Sequence, residues 1–376
     1  MVRTLTGDLF ASTAQTLVNT VNCVGVMGKG IALEFKKRFP DMYADYVKRC
    51  AAKQVRLGQP YLFRSLMPLW ILNFPTKDDW RSVSRMSDIV AGLKYLEQHY
   101  HEWGITSLAV PPLGCGQGQL EWRVVGPTLF RYLCRLDIPV ELYAPYGTPE
   151  HELATGFLSG GANASANGPS TAIEEPKINP AWIALIEIVA RIEREPYHWP
   201  VGRTTFQKIA YFATEEGLPT KLRYARGSYG PFSPDVKSMI TRLVNHSLIQ
   251  EHKLGRMLSV KPGPTYKDAV KEYQTELQDW EQVIERITDL FLRMTTQHAE
   301  TAATVHFAAQ WLEQTRGSKP SETDVMAEVK RWKQKRRPPL RDEDIARTVR
   351  NLNILRWLAV RPSADLPVSE ETFLDA

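Results

Sequence analysis

A layered α/β domain, joined by a linker to a mainly helical domain, is the architecture this 376-residue sequence predicts. Three observations carry the prediction. Over residues 1–150, apolar strand-like runs alternate with stretches of helical period. Two of those runs empty into glycine loops, around 25–30 and 114–118, the position at which layered α/β folds bind ligands. From 156 to 179 the sequence GFLSGGANASANGPSTAIEEPKIN keeps no hydrophobic period and reads as a flexible linker.

The elements follow in order. VRTLTG (2–7) is a short strand ending in GDLF (7–10), and 16–23 is a second strand. A helix with Ile31, Ala32 and Phe35 on its inner face carries Lys36, Lys37 and Arg38 in its last turn and stops before Pro40. Asp41 is placed to cap a further helix through Cys50. Extended runs at 60–65 and 69–74 lead to PTKDDW (75–80). Met86, Ile89, Val90, Leu93 and Leu96 mark a helix over 85–98. TSLAVPPL (106–113) is a buried strand, 121–135 a helix that Gly126-Pro127 kinks or delays, and PVELYAP (139–145) the last strand. Beyond the linker, helices are centred on Trp182–Val189 and on Phe206–Phe212, the latter capped by Thr204 or Thr205. Ser233-Pro234 opens a third helix to His246, and 248–263 is a hairpin with Gly255 near its tip, the order of a winged helix. Longer helices are expected at 267–294, 299–315, 321–334 and 342–358. RWKQKRRPP (331–339) is the densest basic run, either a solvated helix end or a nucleic-acid patch.

Composition narrows the class. Apolar content of 43% and charge of 24% are those of a globular protein, and a net charge of +5 permits nucleic-acid contact without demanding it. Cys23, Cys50, Cys115 and Cys134 lack C-x-x-C pairing and zinc spacing, so reduced thiols are expected and neither a metal nor a disulfide framework. No signal-like or membrane-length apolar run occurs, and a cytoplasmic protein without cofactor is the expectation.

The stretch VNTVNCVGVMGKGIALEF (18–35) is the chemical centre. A strand, a glycine loop and a helix start present backbone N–H groups and a positive helix end to an anion, commonly phosphate. Its spacing is neither the dinucleotide fingerprint nor the P-loop. A tight turn alone remains the other reading of these glycines.

With these pieces in hand, residues 1–150 resemble a macrodomain, the ADP-ribose-binding α/β module. GDLF (7–10), VNTVNCVGVMGKGIALEFKKRFP (18–40), FPTK (74–77) and PPLGCGQGQLEW (111–122) carry the likeness, in the family's order. The combination with a helical second domain containing FQKIAYFA and GSYGPFSPD is similar to the DarG family, macrodomain antitoxins of DNA ADP-ribosylating, DarT-like toxins. The resemblance implies that Asp8, with Leu9 beside it, meets the adenine amino group and that Asn22 orients the distal ribose; an Asx turn is the alternative for Asn22. It implies that Gly28, Lys29, Gly30 and Ile31, with Leu113, Gly114, Cys115, Gly116, Gln117 and Gly118, cradle the diphosphate through backbone amides. Cys115 reads as a small loop residue rather than a nucleophile. Ala144 to Tyr146 would wall the distal ribose.

Lys77 is the implied catalytic residue, attacking the anomeric carbon of a ring-opened ribose or acting electrostatically. One departure stands out: protein-directed glycohydrolases of this branch carry an aspartate where this chain has Gly118. Glycine there implies room for a nucleobase, with Asp78, Asp79 or Glu121 as candidate replacements. The implied function is release of ADP-ribose from a DNA base, thymidine in single-stranded DNA. The implied domains are a macrodomain at 1–155, a linker at 156–179 and a toxin-binding domain at 180–376, winged-helix-like over 180–263. The alternative is a non-catalytic ADP-ribose sensor fused to a winged-helix DNA-binding regulator. A glycohydrolase for protein carboxylates is a third reading, against which Gly118 counts.

Overall fold

A computed structural model describes residues 1–65, 69–160, 178–255 and 257–367. Contacts group the chain into two compact units, Met1–Lys177 with Lys237–His246 and Ile178–Val236 with Ser247–Ala376.

The first unit is built on a six-stranded mixed sheet of order β1-β6-β5-β2-β4-β3. Its strands are β1 (Val2–Leu5), β2 (Thr16–Asn22), β3 (Tyr61–Phe63), β4 (Trp70–Lys77), β5 (Leu108–Val110) and β6 (Val140–Tyr143). All neighbours pair parallel except β3, which runs antiparallel on the edge beside β4. Side chains alternate across the sheet with period two. Leu17, Val21 and Ile71 face one layer with Phe35, Met42 and Tyr46, from α1 (Gly30–Arg38) and α2 (Pro40–Ala51). Val18, Leu72 and Phe74 face the other, with Ile89, Leu93, Trp122 and Leu129 from α3 (Met86–His99) and α4 (Trp122–Leu133). Strands wrapped by helices on both faces are what near-continuous apolar runs require.

Several local expectations are corrected. Asp41 does not cap α2; Pro40 takes the first helical position, where its missing N–H costs nothing, and Asp41 lies in the first turn. The run 106–113 pairs only over Leu108–Val110, because Pro111 and Pro112 have no N–H for the ladder. β4 continues through Pro75 to Lys77 rather than ending at Phe74. Pro127 lies inside an unbroken α4, and Gly126 before it admits the Trp122 ring, which a Cβ would approach to 2.8 Å. A further helix, α5 (Thr155–Leu158), buries Leu158 in the core, so ordered structure enters the segment read as linker. Residues 161–177 of that segment lie outside the described residues.

The second part of the chain is helix-rich. It contains α6 (Pro180–Arg194), α7 (Arg203–Glu215), a small hairpin of β7 (Ala225–Gly227) with β8 (Gly230–Phe232), and α8 (Asp235–Asn245). β9 (Ile249–Leu254) and β10 (Met257–Pro262) pair antiparallel, with Gly255 at φ +57° after β9. The long helix expected over 267–294 is instead three, α9 (Tyr266–Glu272), α10 (Gln274–Asp279) and α11 (Glu281–Leu292), interrupted at Tyr273 and Trp280. Gly202, not Thr204 or Thr205, precedes α7 as its cap residue. At the centre lies α12 (Thr296–Arg316), packed by α7, α13 (Glu322–Lys333) and α14 (Asp342–Ile354). Ala299, Ala302, Ala303 and Ala308 are buried on it, and small side chains let the surrounding helices approach closely. Among the described residues, no helix is long and apolar enough to cross a membrane.

Candidate active site

Three adjacent parallel strands, β5, β2 and β4, end at the same edge of the sheet, and the loops that follow them gather there. Asn22 and Lys77 are register partners at the ends of β2 and β4, just past a bulge at Val21/Asn22. The ladder gains one more bond beyond it, from Cys23 N–H to the Asp78 carbonyl at 3.0 Å.

The first loop is tied by Asn22. Its Oδ1 accepts from the Val24 and Val26 amides at 3.0 and 3.3 Å, and its Nδ2 donates to the Val26 carbonyl at 2.5 Å. The buried Tyr46 hydroxyl lies 2.9 Å from both the Asn22 carbonyl and Oδ1. Of the two readings of Asn22, the Asx turn is therefore present. Met27, 2% exposed, nails the loop to the core. Gly25 makes the turn at φ +82°, and Gly30 stands at φ +59°, left-handed backbone that favours glycine although a Cβ there would meet nothing within 4 Å. α1 then begins at Gly30, and its N-cap Lys29 supplies no side-chain acceptor to the first amides.

The second loop is shaped by three backbone bonds: Cys115 N–H to Pro112, Gln119 N–H to Gly116 and Leu120 N–H to Gly114, at 3.0 to 3.1 Å. Among the described residues, the amides of Gly116, Gln117 and Gly118 have no protein acceptor. Gly114 sits at φ +78° with Leu120 Cδ1 2.6 Å from where its Cβ would be. Burial pushes the Cys115 thiol up to about 12, which keeps it protonated and unsuited to nucleophilic attack near neutral pH.

Gly118 corrects the expectation of spare room. A Cβ there would overlap the Gly114 carbonyl oxygen and Ser84 Oγ and lie 2.9 Å from Gly114 Cα. The missing side chain is thus directed into packed structure, and the Ser84 N–H donates to the Gly118 carbonyl at 3.3 Å. Glycine at 118 is a packing requirement of this loop.

Lys77 is 8% exposed, and its Nζ donates to the Gln117 carbonyl at 2.5 Å. The end of β4 is in this way joined to the second glycine loop at the mouth between the loops. Asp8 is exposed; Oδ1 accepts from Phe10 N–H at 3.0 Å and caps the short 3-10 turn Leu9–Ala11, whose Leu9 is buried. Among the candidate replacement carboxylates, Asp79 is buried and bonded to Arg81 through both oxygens, at 3.0 and 3.1 Å. Glu121 precedes α4 without capping it. Asp78 is exposed next to Lys77 and, after burial itself, helps push the Cys23 thiol up to about 12. Ala144 is buried and donates to the Leu5 carbonyl at 2.8 Å, while Tyr146 stands in solvent. Sequence reasoning missed Tyr46 and Ser84. Tyr46 shows only as one more apolar position of α2, and nothing local to Ser84 announces that it supports a loop more than thirty residues away. Among the described residues, no group of three or more His, Cys, Asp or Glu is arranged to hold a metal ion.

Residues 18–129 match the Macro domain family. A DNA ADP-ribosyl glycohydrolase of Thermus aquaticus is 32% identical over 315 residues, 82% of this chain and 83% of that one. A DNA ADP-ribosyl transferase–DNA ADP-ribosyl glycohydrolase fusion protein of Thermosipho africanus is 42% identical over 172 residues, 40% of this chain and 44% of that one. The solved macrodomain of Mycobacterium tuberculosis DarG is 44% identical, with 39% of this chain matched to 98% of that chain at a TM-score of 0.38. With likeness to the Thermus protein running through both halves, and the macrodomain motifs lying on one strand edge, the chain belongs to the DarG family of DNA ADP-ribosyl glycohydrolases.

Proposed function

We propose that the first unit releases ADP-ribose from a DNA base, thymidine in single-stranded DNA, with Lys77 as its catalytic residue. The observation that carries this reading is a buried lysine at the end of β4, bonded to a glycine loop in which, among the described residues, the amides of Gly116, Gln117 and Gly118 have no protein acceptor. Amides of 28–31 at the start of α1 and of 116–118 would share the diphosphate, each N–H worth more to an anion than to water. Asp8 would take the adenine amino group. The distal ribose then lies toward Lys77, whose amine attacks the anomeric carbon of the ring-opened sugar. The base leaves with the bonding pair and a proton, and water hydrolyses the iminium to return the lysine.

The overlap at Gly118 supports a substrate other than an acidic side chain, because the loop excludes the carboxylate that such chemistry uses. The domain division proposed is a catalytic macrodomain over 1–155, a linker over 156–179 and a domain over 180–376 that binds and blocks the cognate DarT-like toxin. The Thermosipho relative, whose name joins a DNA ADP-ribosyl transferase to the glycohydrolase, supports that partnership. A cytoplasmic location fits a DNA substrate. The test offers the full chain two substrates, an oligonucleotide carrying ADP-ribose on one thymine and a protein carrying it on glutamate. Release from the first at a rate at least a hundredfold higher is expected; preference for the second would overturn the reading.

A further inference from the structure

The basic run at 331–339 is not a loose solvated end. Lys333 is buried; its Nζ donates to the Ser228 carbonyl at 2.7 Å and to Glu300 Oε1 at 3.1 Å, and Arg336 Nε reaches the same carboxylate at 3.2 Å. Lys208, also buried, donates to the Pro231 carbonyl at 2.7 Å. Two buried lysines thereby fasten the β7–β8 hairpin from below. Burying ammonium groups is costly, and they are retained here where they immobilise one turn. That turn presents Tyr229, 67% exposed, at its tip.

Beside the hairpin, between α12 and α13, is a cavity of about 310 Å³ with Trp311, Arg316 and Arg331 among its lining residues. The Arg226 guanidinium stacks 4.3 Å from the Trp311 ring, and Arg331 lies 5.8 Å from it. Two acidic residues also line it, and both are already engaged: Glu328 pairs with Arg226 and Arg331, and Asp324 with Arg316 at 2.9 Å. Lys335 and Arg337 continue the charge at the exposed helix end. In the lining itself Arg316 and Arg331 match the two carboxylates, and the positive excess of this face comes from Arg226, Lys335 and Arg337 outside the lining, beside a volume large enough for a base and its sugar.

We infer that this face of the second unit is a binding site for single-stranded nucleic acid. A base enters the cavity against Trp311, a second stacks on Tyr229, and Arg316, Arg331, Lys335 and Arg337 meet the intervening phosphates. Bases on aromatic faces, with cations tracking the backbone, are how single strands are held without sequence readout. An acidic protein segment would satisfy the cations but leave the aromatic positions unused.

The test is fluorescence anisotropy of the full chain with the macrodomain saturated by ADP-ribose. The ligands are dT12, rU12 and a polyglutamate of equal charge. Binding of both oligonucleotides is expected, with polyglutamate at least tenfold weaker, and the tighter of dT12 and rU12 identifies DNA or RNA as the natural strand. Tyr229→Ala should weaken oligonucleotide binding about tenfold, as loss of one stacked base does. Arg331→Gln with Lys335→Gln should reduce the slope of log K against log salt by about 1.4, two phosphates at ~0.7 each. All these positions are exposed, and circular dichroism would verify the fold. Absence of oligonucleotide binding, equal binding of polyglutamate, or indifference to these substitutions in a folded protein would each overturn the inference.

Discussion

Gly118→Ala is the sharpest perturbation of the site. The added methyl would overlap the Gly114 carbonyl oxygen and Ser84 Oγ and approach Gly114 Cα to 2.9 Å, where ordinary contacts begin near 3.4 Å. Two of the three obstructing atoms are backbone, so the strain cannot be relieved by a rotamer change alone. Overpacking of this kind costs about 1–3 kcal/mol, which lowers the melting transition of a unit this size by roughly 2–12 °C. The larger effect falls on chemistry. Gln117, whose carbonyl holds Lys77 Nζ, is the residue next to the strained position, and a displacement of about 1 Å in a reacting array can cost about 100-fold in rate. Gly116→Ala is the matched control, because a Cβ there meets nothing within 4 Å. Calorimetry and single-turnover release of ADP-ribose would be run on both. Wild-type stability and rate in Gly118→Ala, or equal damage in both variants, would refute the packing argument.

Tyr46→Phe removes the buried hydroxyl beside the Asn22 carbonyl and Oδ1; a loss of about 1–3 kcal/mol and weaker ADP-ribose binding by calorimetry are expected. With thiols raised to about 12, Cys23 and Cys115 should react with iodoacetamide at pH 8 about a thousandfold more slowly than an ordinary thiol, read peptide by peptide by mass spectrometry. Burial, followed by repulsion from Lys333, holds Lys208 down to about 8 against an ordinary 10.5. Between those values the unfolded chain binds more protons, so stability of the second unit rises with pH; the penalty is fully present below pH 8. From pH 8 to 9.5 the gain is about 1–2 kcal/mol, seen as a higher denaturation midpoint, and Lys208→Met should flatten it.

The sequence made the layered fold legible because its strands are buried on both faces and its glycines follow two of them. Lys77 could be singled out from FPTK and the motifs around it, but its bond to Gln117 could not, since that bond joins loops forty residues apart. Boundaries failed where backbone chemistry overrode pattern: Pro40 displaced Asp41 as the start of α2, and Pro111 and Pro112 truncated β5. Gly118 was visible as a missing aspartate, yet its cause lay in Ser84, which no local pattern marks. The basic run was legible as charge, a solvated helix end or a nucleic-acid patch, but the burial of Lys333 was not, because Lys333 finds Glu300 only through the packing of α12 against α13.

The most direct test of the central claim is time-resolved release of ADP-ribose from a single-stranded oligonucleotide modified on one thymine, using the full chain and its Lys77→Ala and Lys77→Arg variants. Release by the wild type alone, with ADP-ribose binding retained in both variants, is the predicted result. Arginine keeps the positive charge but cannot form the iminium, so its inactivity would assign a nucleophile rather than a charge. Absence of release by the wild type, with ADP-ribose still bound, would contradict the account and leave a sensor in its place.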